Sequence, residues 1–507
     1  MAYIMSVVRD VTSVGSATLA SRLLGFLRDI GVAAVLGAGS LSDAYFAATQ
    51  IPNLFRRLVA GELNAAFVPA WMRIRQSSGD ADAFAWTVFA TTGVMLGLVT
   101  LLCIVFAPVI VALLLPGFDE GGVRFTSAVT FLRLAAPYIT IAGLIAVAFA
   151  TLNAQGRVAA AAFSVVAFNI ILLGAIAVVL ILGTGTSQLT GNLLAGSIVV
   201  AGLAQFVLVA HAVPWRRRSI PKFSPELRDF YVKALPSLIA SGIPQLKLIA
   251  CAMVASTSQA ALSWLYYANR LYELPLGIVS VALASVLGPR IAASVLLRDR
   301  SDIASAQARA FEIALGLAVP SAVAFVVLAQ PIAAGLFERG AFGPHDAAAV
   351  AGALAAMSAG LPGHVLEKVF GSISFGHQDT RTPMWAALAG LAGATILALL
   401  LFPRYAQVGV AAAIAFSGWI GASLLGVTLW RRGWIALDRA AGRRLVAILI
   451  AAAVMGVVLV AANEQLDLGL PRLVKLAALV LLGLLVYLST LQALGIVRLG
   501  TLFAEGR

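Results

Sequence analysis

Eight cationic side chains stand in stretches of this 507-residue chain that are otherwise apolar: Arg22, Arg28, Arg56, Arg57, Arg133, Lys247, Arg270 and Lys368. Acids in the same stretches are fewer, namely Asp29, Glu62, Glu273 and Glu367, with Asp43 near the end of its segment. A charge at the centre of a lone membrane helix costs at least about 2.5–3.5 kcal/mol, so such residues are retained for a function or a partner. Guanidinium groups offer paired donors that fit phosphate and carboxylate. An excess of arginine over acid therefore points to an anionic ligand; an exporter of cations would more naturally expose buried acids. Arg22 is about 11 residues into its segment, roughly 16 Å at the helical rise, and Arg56 and Arg270 lie at similar depth. Arg22 and Asp29, seven apart, share a helix face, whereas Arg28 is offset from Asp29 by about 100°. Arg270 and Glu273, three apart, can pair. The adjacent Arg56 and Arg57 diverge.

The elements that carry these residues follow from composition. The chain is 61% hydrophobic and 11% charged, with a mean hydropathy of +0.98. That leaves too little polar surface for soluble domains, which carry about a quarter charged residues. The expected fold is an all-α polytopic membrane protein. Runs long enough to span a bilayer fall at about 11–36, 41–72, 84–115, 126–150, 157–182, 191–212, 228–256, 259–289, 309–336, 346–373, 382–402, 407–430, 443–462 and 471–497, about 14 transmembrane helices. With the N-terminus placed inside, 22 of the Lys and Arg residues fall in inner segments and 5 in outer ones. The bias predicts that both termini are cytoplasmic, and it accounts for the high pI through basic loops at anionic lipid rather than through a nucleic-acid partner.

Three landmarks recur at a constant offset of 223 residues: Pro52 with Pro275, Pro108 with Pro331, and Gln155 with Gln378. A repeat of that length holds six spans, an even number, so its two copies insert the same way up. The expected organisation is a six-helix bundle over 1–223, a like-oriented second bundle over 224–446, and two extra helices over 447–507. Like-oriented bundles suit a transporter whose ligand sits between them near the midplane. Gly25, Pro52 and Pro275 mark helices that can kink.

Enzyme readings find little support. Cys103 and Cys251 lie within apolar runs and offer no disulfide framework or cysteine-rich metal site. His211, His345, His364 and His377 form no metal-binding spacing. A membrane-embedded glycosyltransferase needs a positioned acid or base, usually on a sizeable loop, and the longest loop, Pro214–Leu227, is short and basic.

The motifs also carry a resemblance. Ser21-Arg22-Leu23-Leu24-Gly25-Phe26-Leu27-Arg28-Asp29 resembles the S-R-x-x-G-x-x-R-D signature of the MurJ (MviN) lipid II flippases, within the multidrug/oligosaccharidyl-lipid/polysaccharide exporter superfamily. Asp43-Ala44-Tyr45-Phe46, Pro52-Asn53-Leu54-Phe55-Arg56-Arg57, Asn64-Ala65-Ala66-Phe67-Val68-Pro69, Tyr267-Ala268-Asn269-Arg270-Leu271-Tyr272-Glu273-Leu274-Pro275 and Gln378-Asp379-Thr380-Arg381-Thr382-Pro383 look like family motifs too. One departure is Ala60-Gly61-Glu62-Leu63, where family members often read A-E-G-A; the acid is displaced by one residue, about 100° around a helix.

The resemblance implies flipping of lipid II, the undecaprenyl-pyrophosphate-linked peptidoglycan precursor, across the bacterial inner membrane by alternating access, for cell wall synthesis. It implies a cationic cavity in which Arg22, Arg28, Arg56 and Arg270 bind the substrate. Ser21, Asp29, Asp43, Glu62 and Glu273 are assigned supporting or gating roles, and the last two helices a groove for the lipid tail; Lys247, which matches no family motif, is a further supporting candidate as a head-group contact or a salt-bridge partner. No catalytic residue, metal site or cofactor is expected, and a coupling ion or the membrane potential is the open energy source. Lipid II and membrane lipids are the expected partners, and the cell wall synthesis machinery is a candidate. The rival readings are a flippase for another polyprenyl-linked oligosaccharide and an ion-coupled drug exporter.

Overall fold

The computed structural model of the protein describes residues 2–77, 79–213, 224–297, 300–437, 439–465 and 471–496. Every regular element among them is helical, as apolar solvent demands of a chain that must satisfy its own backbone groups. Contacts divide the chain into two units.

The first unit comprises the residues up to Ser263 together with Arg339–Phe342. Its helices are α1 (Ala2–Leu36), α2 (Ser40–Gln76), α3 (Ala81–Val105), α4 (Ala107–Leu114), α5 (Val123–Ala135), α6 (Pro137–Ala154), α7 (Val158–Leu182), α8 (Gln188–Ala212) and α9 (Pro225–Ala255). Side-chain caps start several of them. Asp80 accepts from Ala83 N at 3.0 Å before α3, and Ser187 and Ser224 do the same for α8 and α9. α2 packs on α5, α6 and α9. Phe67 and Phe84 stack at 5.7 Å and Phe230 of α9 meets both edge-on, which ties α9 to this unit. The repeat boundary expected at 223/224 adjoins residues 214–223, which lie outside the described ones.

The second unit comprises Trp264–Glu338 and the residues from Gly343 onward. α10 (Ala261–Ala282) leads through a π-helical turn, Leu283–Leu287, into α11 (Gly288–Leu297). Then follow α12 (Arg300–Val327), α13 (Ala329–Phe337), α14 (Pro344–Ser358), α15 (Leu361–Gly376), α16 (Arg381–Arg431), α17 (Arg439–Gln465) and α18 (Arg472–Ala493). α17 packs on α12, and α18 on α13 and α17. α15 lies against the second half of α16 through glycines. A Cβ on Gly360 would stand 2.3 Å from Ala415 Cα, and one on Gly363 2.9 Å from Trp419 N. Small residues let two helix backbones approach this closely where lipid supplies no hydrophobic drive.

Helix breaks recur between the units. α3 gives way to α4 beside Pro108 and α12 to α13 beside Pro331; α5 to α6 at Ala136 and α14 to α15 at Ala359; α7 opens at Val158 and α16 at Arg381. The last two pairs are each 223 residues apart. Pro52 and Pro275 end neither α2 nor α10, which continue as helix through them.

Among the described residues, eight helical segments are long and apolar enough to cross a bilayer, or nine with the bent pair α14 and α15 taken as one. That test does not establish the count of fourteen. α1, α2 and α10 carry charges within their apolar stretches, and the 51-residue α16 joins two expected spans across Pro403 and a non-helical Ala406, φ 45° and ψ −129°. Large apolar side chains such as Ile181 and Leu400 project outward, 84% and 68% exposed, where acyl chains would cover them.

Candidate functional site

On α1 the signature residues occupy different faces. Arg22 is exposed, Gly25 and Asp29 are buried, and Arg28 is half-buried. Asp29 is held by Arg28: Arg28 Nη2 and Nε donate to its Oδ1 at 2.8 and 3.1 Å. Arg22 shares the helix face of Asp29 by spacing, but these bonds come from Arg28. The long Arg28 stem bridges the 100° offset, and Arg22 keeps its guanidinium outward. Ser21 is fixed from α7, where Asn169 Nδ2 donates to its carbonyl and hydroxyl oxygens at 3.3 and 3.2 Å.

On α2 the residues divide by depth. Asp43 is fully buried and accepts from Ala260 N at 2.7 Å, Ser263 N at 2.9 Å and Ser263 Oγ at 2.7 Å. It therefore sits on the N-terminus of α10, where free amide donors favour an anion. Ala260 takes φ 65° to deliver its N–H. Pro52 is buried, and Arg56 and Arg57 are exposed. Arg56 Nε reaches Asn53 Oδ1 at 3.5 Å, and Arg57 Nη1 donates to Gln245 Oε1 of α9 at 3.4 Å. Arg28 and Arg56 each act electrostatically on the hydroxyl of Tyr138 on α6. The Glu62 side chain lies outside the described residues. Lys247 is half-buried on α9, one turn from Cys251 and acting on it.

The end of α1 has its own fixture. Ala341 N donates to Ala34 O at 2.8 Å. Gly340 (φ 59°) and Gly37 (φ 63°) permit it, since a Cβ on either would lie within 2.5 Å of a facing carbonyl oxygen.

In the second unit Arg270 and Glu273 pair across one turn of α10 at 3.9 Å, and Asn269 Nδ2 donates to Glu273 Oε1 at 3.0 Å. Both charged side chains remain about a quarter exposed. Pro275 is buried, two residues on.

A scan for charge passes over the uncharged partners. Asn169, Gln245 and Ser263 each hydrogen-bond a signature residue, and their only signal is a polar side chain in an apolar run. Chemically, the arrangement presents guanidinium donors held by neighbouring acids and amides, which suits binding and release of phosphate or carboxylate.

A family model described as lipid II flippase MurJ matches residues 32–476. The chain belongs to the lipid II flippase MurJ family. It is 38% identical over 95% of its length to a probable lipid II flippase MurJ of Rhizobium meliloti (strain 1021), covering 92% of that protein. It is 34% identical to the one of Rhizobium tropici, over 98% of this chain and 96% of that one. Among solved structures it resembles a lipid II flippase MurJ in an inward closed conformation, with a TM-score of 0.79 and 24% identity over 94% of this chain and 97% of that one. An inward-facing multidrug resistance MATE transporter of the MOP superfamily matches with a TM-score of 0.70 and 14% identity, over 81% and 94%. These likenesses establish the MurJ-type fold that the signature motifs implied. The matched MurJ region holds Asp43, Arg56, Lys247, Arg270 and Glu273, while Ser21–Asp29 precedes it.

Proposed function

We propose that this protein moves lipid II from the cytoplasmic to the periplasmic leaflet of the bacterial inner membrane, as a transporter without chemical turnover of its substrate. The observation that carries this reading is the set of guanidinium groups on helices of a membrane fold, with Arg28 held by Asp29 on α1, Arg56 on α2 and Arg270 on α10 beside Glu273. A pyrophosphate and peptide carboxylates are anions that such groups bind through paired donors. MurJ family membership supplies the substrate's identity.

In this reading fourteen spans form two like-oriented six-helix bundles and two added helices, with both termini cytoplasmic. Arg22, Arg28, Arg56 and Arg270 bind the head group in a cationic cavity. Asp29 and Glu273 hold two of these cations ready and return to them when the anion leaves. The polyprenyl tail stays in the bilayer, and α17 and α18 offer it a groove. Head-group binding neutralises the cavity and lets it close on one side and open on the other. The empty cavity is positive, and each charge carried through the field is worth about 2.3 kcal/mol per 100 mV, so the membrane potential favours the return step.

Complementation of a flippase-depleted strain tests the reading. Arg270→Ala should fail to support growth while reaching the membrane at the parental level. Normal growth on that variant would remove Arg270 from the site.

A further inference from the structure

A buried polar cluster in the second unit has no part in the anion site. His364 of α15 is 9% exposed, and it meets Tyr272 of α10 and Ser417 of α16, 3% and 1% exposed. The Tyr272 hydroxyl lies 2.6 Å from His364 Nδ1. Ser417 Oγ lies 3.4 Å from Nε2 and spends its own hydrogen on Ile414 O at 2.7 Å, so its oxygen is left to accept from Nε2–H. The carbonyl of Gly360 lies 3.2 Å from Nδ1.

The space for this ring is built in. A Cβ on Gly418 would fall 2.5 Å from His364 Nδ1, and a Cβ on Gly421 2.6 Å from the Glu367 carboxyl carbon. Two glycines of α16 thus cradle an imidazole and a carboxylate from successive turns of α15. A histidine serving only to fill space would need neither this gap nor acceptors at both nitrogens.

The geometry points to His364 as a proton-binding site that acts on α10 through Tyr272. With the ring neutral, Nε2–H donates to Ser417 and the Tyr272 O–H donates to Nδ1. When a proton binds at Nδ1, that nitrogen becomes a donor to Gly360 O or to the Tyr272 oxygen, and the Tyr272 hydrogen must turn elsewhere. Glu367 and Lys368 are the other charged side chains of α15, and the Glu367 carboxylate acts on both Tyr272 and Lys368, so the charge beside the ring is a balance of one acid and one cation.

The other helices packed on α15 bring little competing charge. The facing stretch of α16, Ala415–Ala422, has no titratable residue. α12 presents Phe311 to Phe370, and its Glu312 pairs with Arg444 at 2.6 Å. Arg290 of α11 is exposed. Tyr272 lies between Arg270 and Glu273 in sequence, so a proton at His364 reports directly to the helix that carries the second-unit cation. The inference names a proton as a ligand of this lobe; it rests on the flippase reading only for what α10 moves.

The test uses the full-length protein in lipid nanodiscs and in proteoliposomes. With four histidines in the chain, imidazole 15N resonances can be assigned by single replacements. The inference expects the His364 ring to change charge between about pH 5 and 8, the range in which histidine titrates. It expects lipid II flipping to change by about threefold or more across that interval in the parent and to be flat in His364→Gln, as for an essential titrating group. Should His364→Gln fail to fold, Tyr272→Phe serves, with the ring still titrating and the pH dependence of flipping lost. A ring that keeps one neutral tautomer throughout overturns the inference. So does a parental pH profile in His364→Gln or, where that variant does not fold, in Tyr272→Phe. A ring that titrates in a protein unable to flip lipid II would instead sink the flippase reading and leave the proton site standing.

Discussion

Asp43 on α2 holds Ser263, in the first turn of α10, by both its backbone N–H and its hydroxyl, at 2.9 and 2.7 Å. With the Ala260 N–H at 2.7 Å, one buried carboxylate accepts three donors at a helix N-terminus. Asp43→Asn replaces one acceptor oxygen by a donor that faces N–H groups, and should cost about 1–3 kcal/mol, the desolvation penalty of a stranded polar group. Ser263→Ala removes one hydrogen bond of three and should cost about 0.5–1.5 kcal/mol. Thermal unfolding in detergent should therefore rank the parent above Ser263→Ala and that variant above Asp43→Asn.

Arg28 and Asp29 should behave as a coupled pair. Asp29 is 3% exposed in its side chain and Arg28 21%, so the acid is the costlier group to strand. Arg28→Ala should destabilise the protein by about 3 kcal/mol or more, Asp29→Ala by less, and the double variant should recover part of the loss. Stability recovered in the double variant should not bring flipping with it, because the cation proposed to bind the anion is gone.

Asp379 sets an acid limit. Burial raises its carboxyl, but donation from Thr382 (hydroxyl and N–H), Arg432 and Arg381 N more than reverses this and holds it at about 2. A carboxylate lowered in the folded state contributes stability above its unfolded value, about pH 4, and loses it as pH falls through its folded value. The parent should thus lose this increment between about pH 4 and 2. Asp379→Asn should be less stable at pH 7 and show a shallower fall over the same window. Equal slopes in the two proteins would contradict the assignment.

Two glycines predict opposite outcomes. A Cβ on Gly360 meets Ala415 backbone at 2.3 Å, whereas one on Gly196 meets nothing within 4 Å. Gly360→Ala should destabilise by about 1–3 kcal/mol because backbone cannot yield. Gly196→Ala should be neutral or stabilising by up to about 1 kcal/mol, the helix propensity difference. Thermal unfolding of the two variants side by side checks both.

Much of the fold was legible because lipid leaves a chain few choices. Apolar runs of about 20 residues become helices, and the breaks beside Pro108 and Pro331 sit where the repeat puts them. The pairing of Arg270 with Glu273 also followed from spacing alone. The partner of Asp29 did not, because periodicity places Cβ atoms and says nothing of how far an arginine stem can reach. Asn169, Gln245 and Ser263 escaped notice because an uncharged polar residue in an apolar run carries no strong signal. His364 read as one of four scattered histidines; its partners come from residues 92 and 53 positions away, a proximity that only the packing of α10, α15 and α16 creates. The count of spans from composition is weakest where function puts charge, as in α1, α2 and α10.

Binding of one anionic head group at the intramembrane arginines is the central claim, and cysteine protection tests it most directly. The native Cys103 and Cys251 are buried, so single cysteines introduced as Arg22→Cys or Arg270→Cys can be read with a membrane-impermeant thiol reagent. In proteoliposomes both positions should be labelled, and lipid II, still held by the remaining arginines at high concentration, should slow both reactions while an uncharged polyprenol leaves them unchanged. Labelling that lipid II does not slow at either position would contradict the claim.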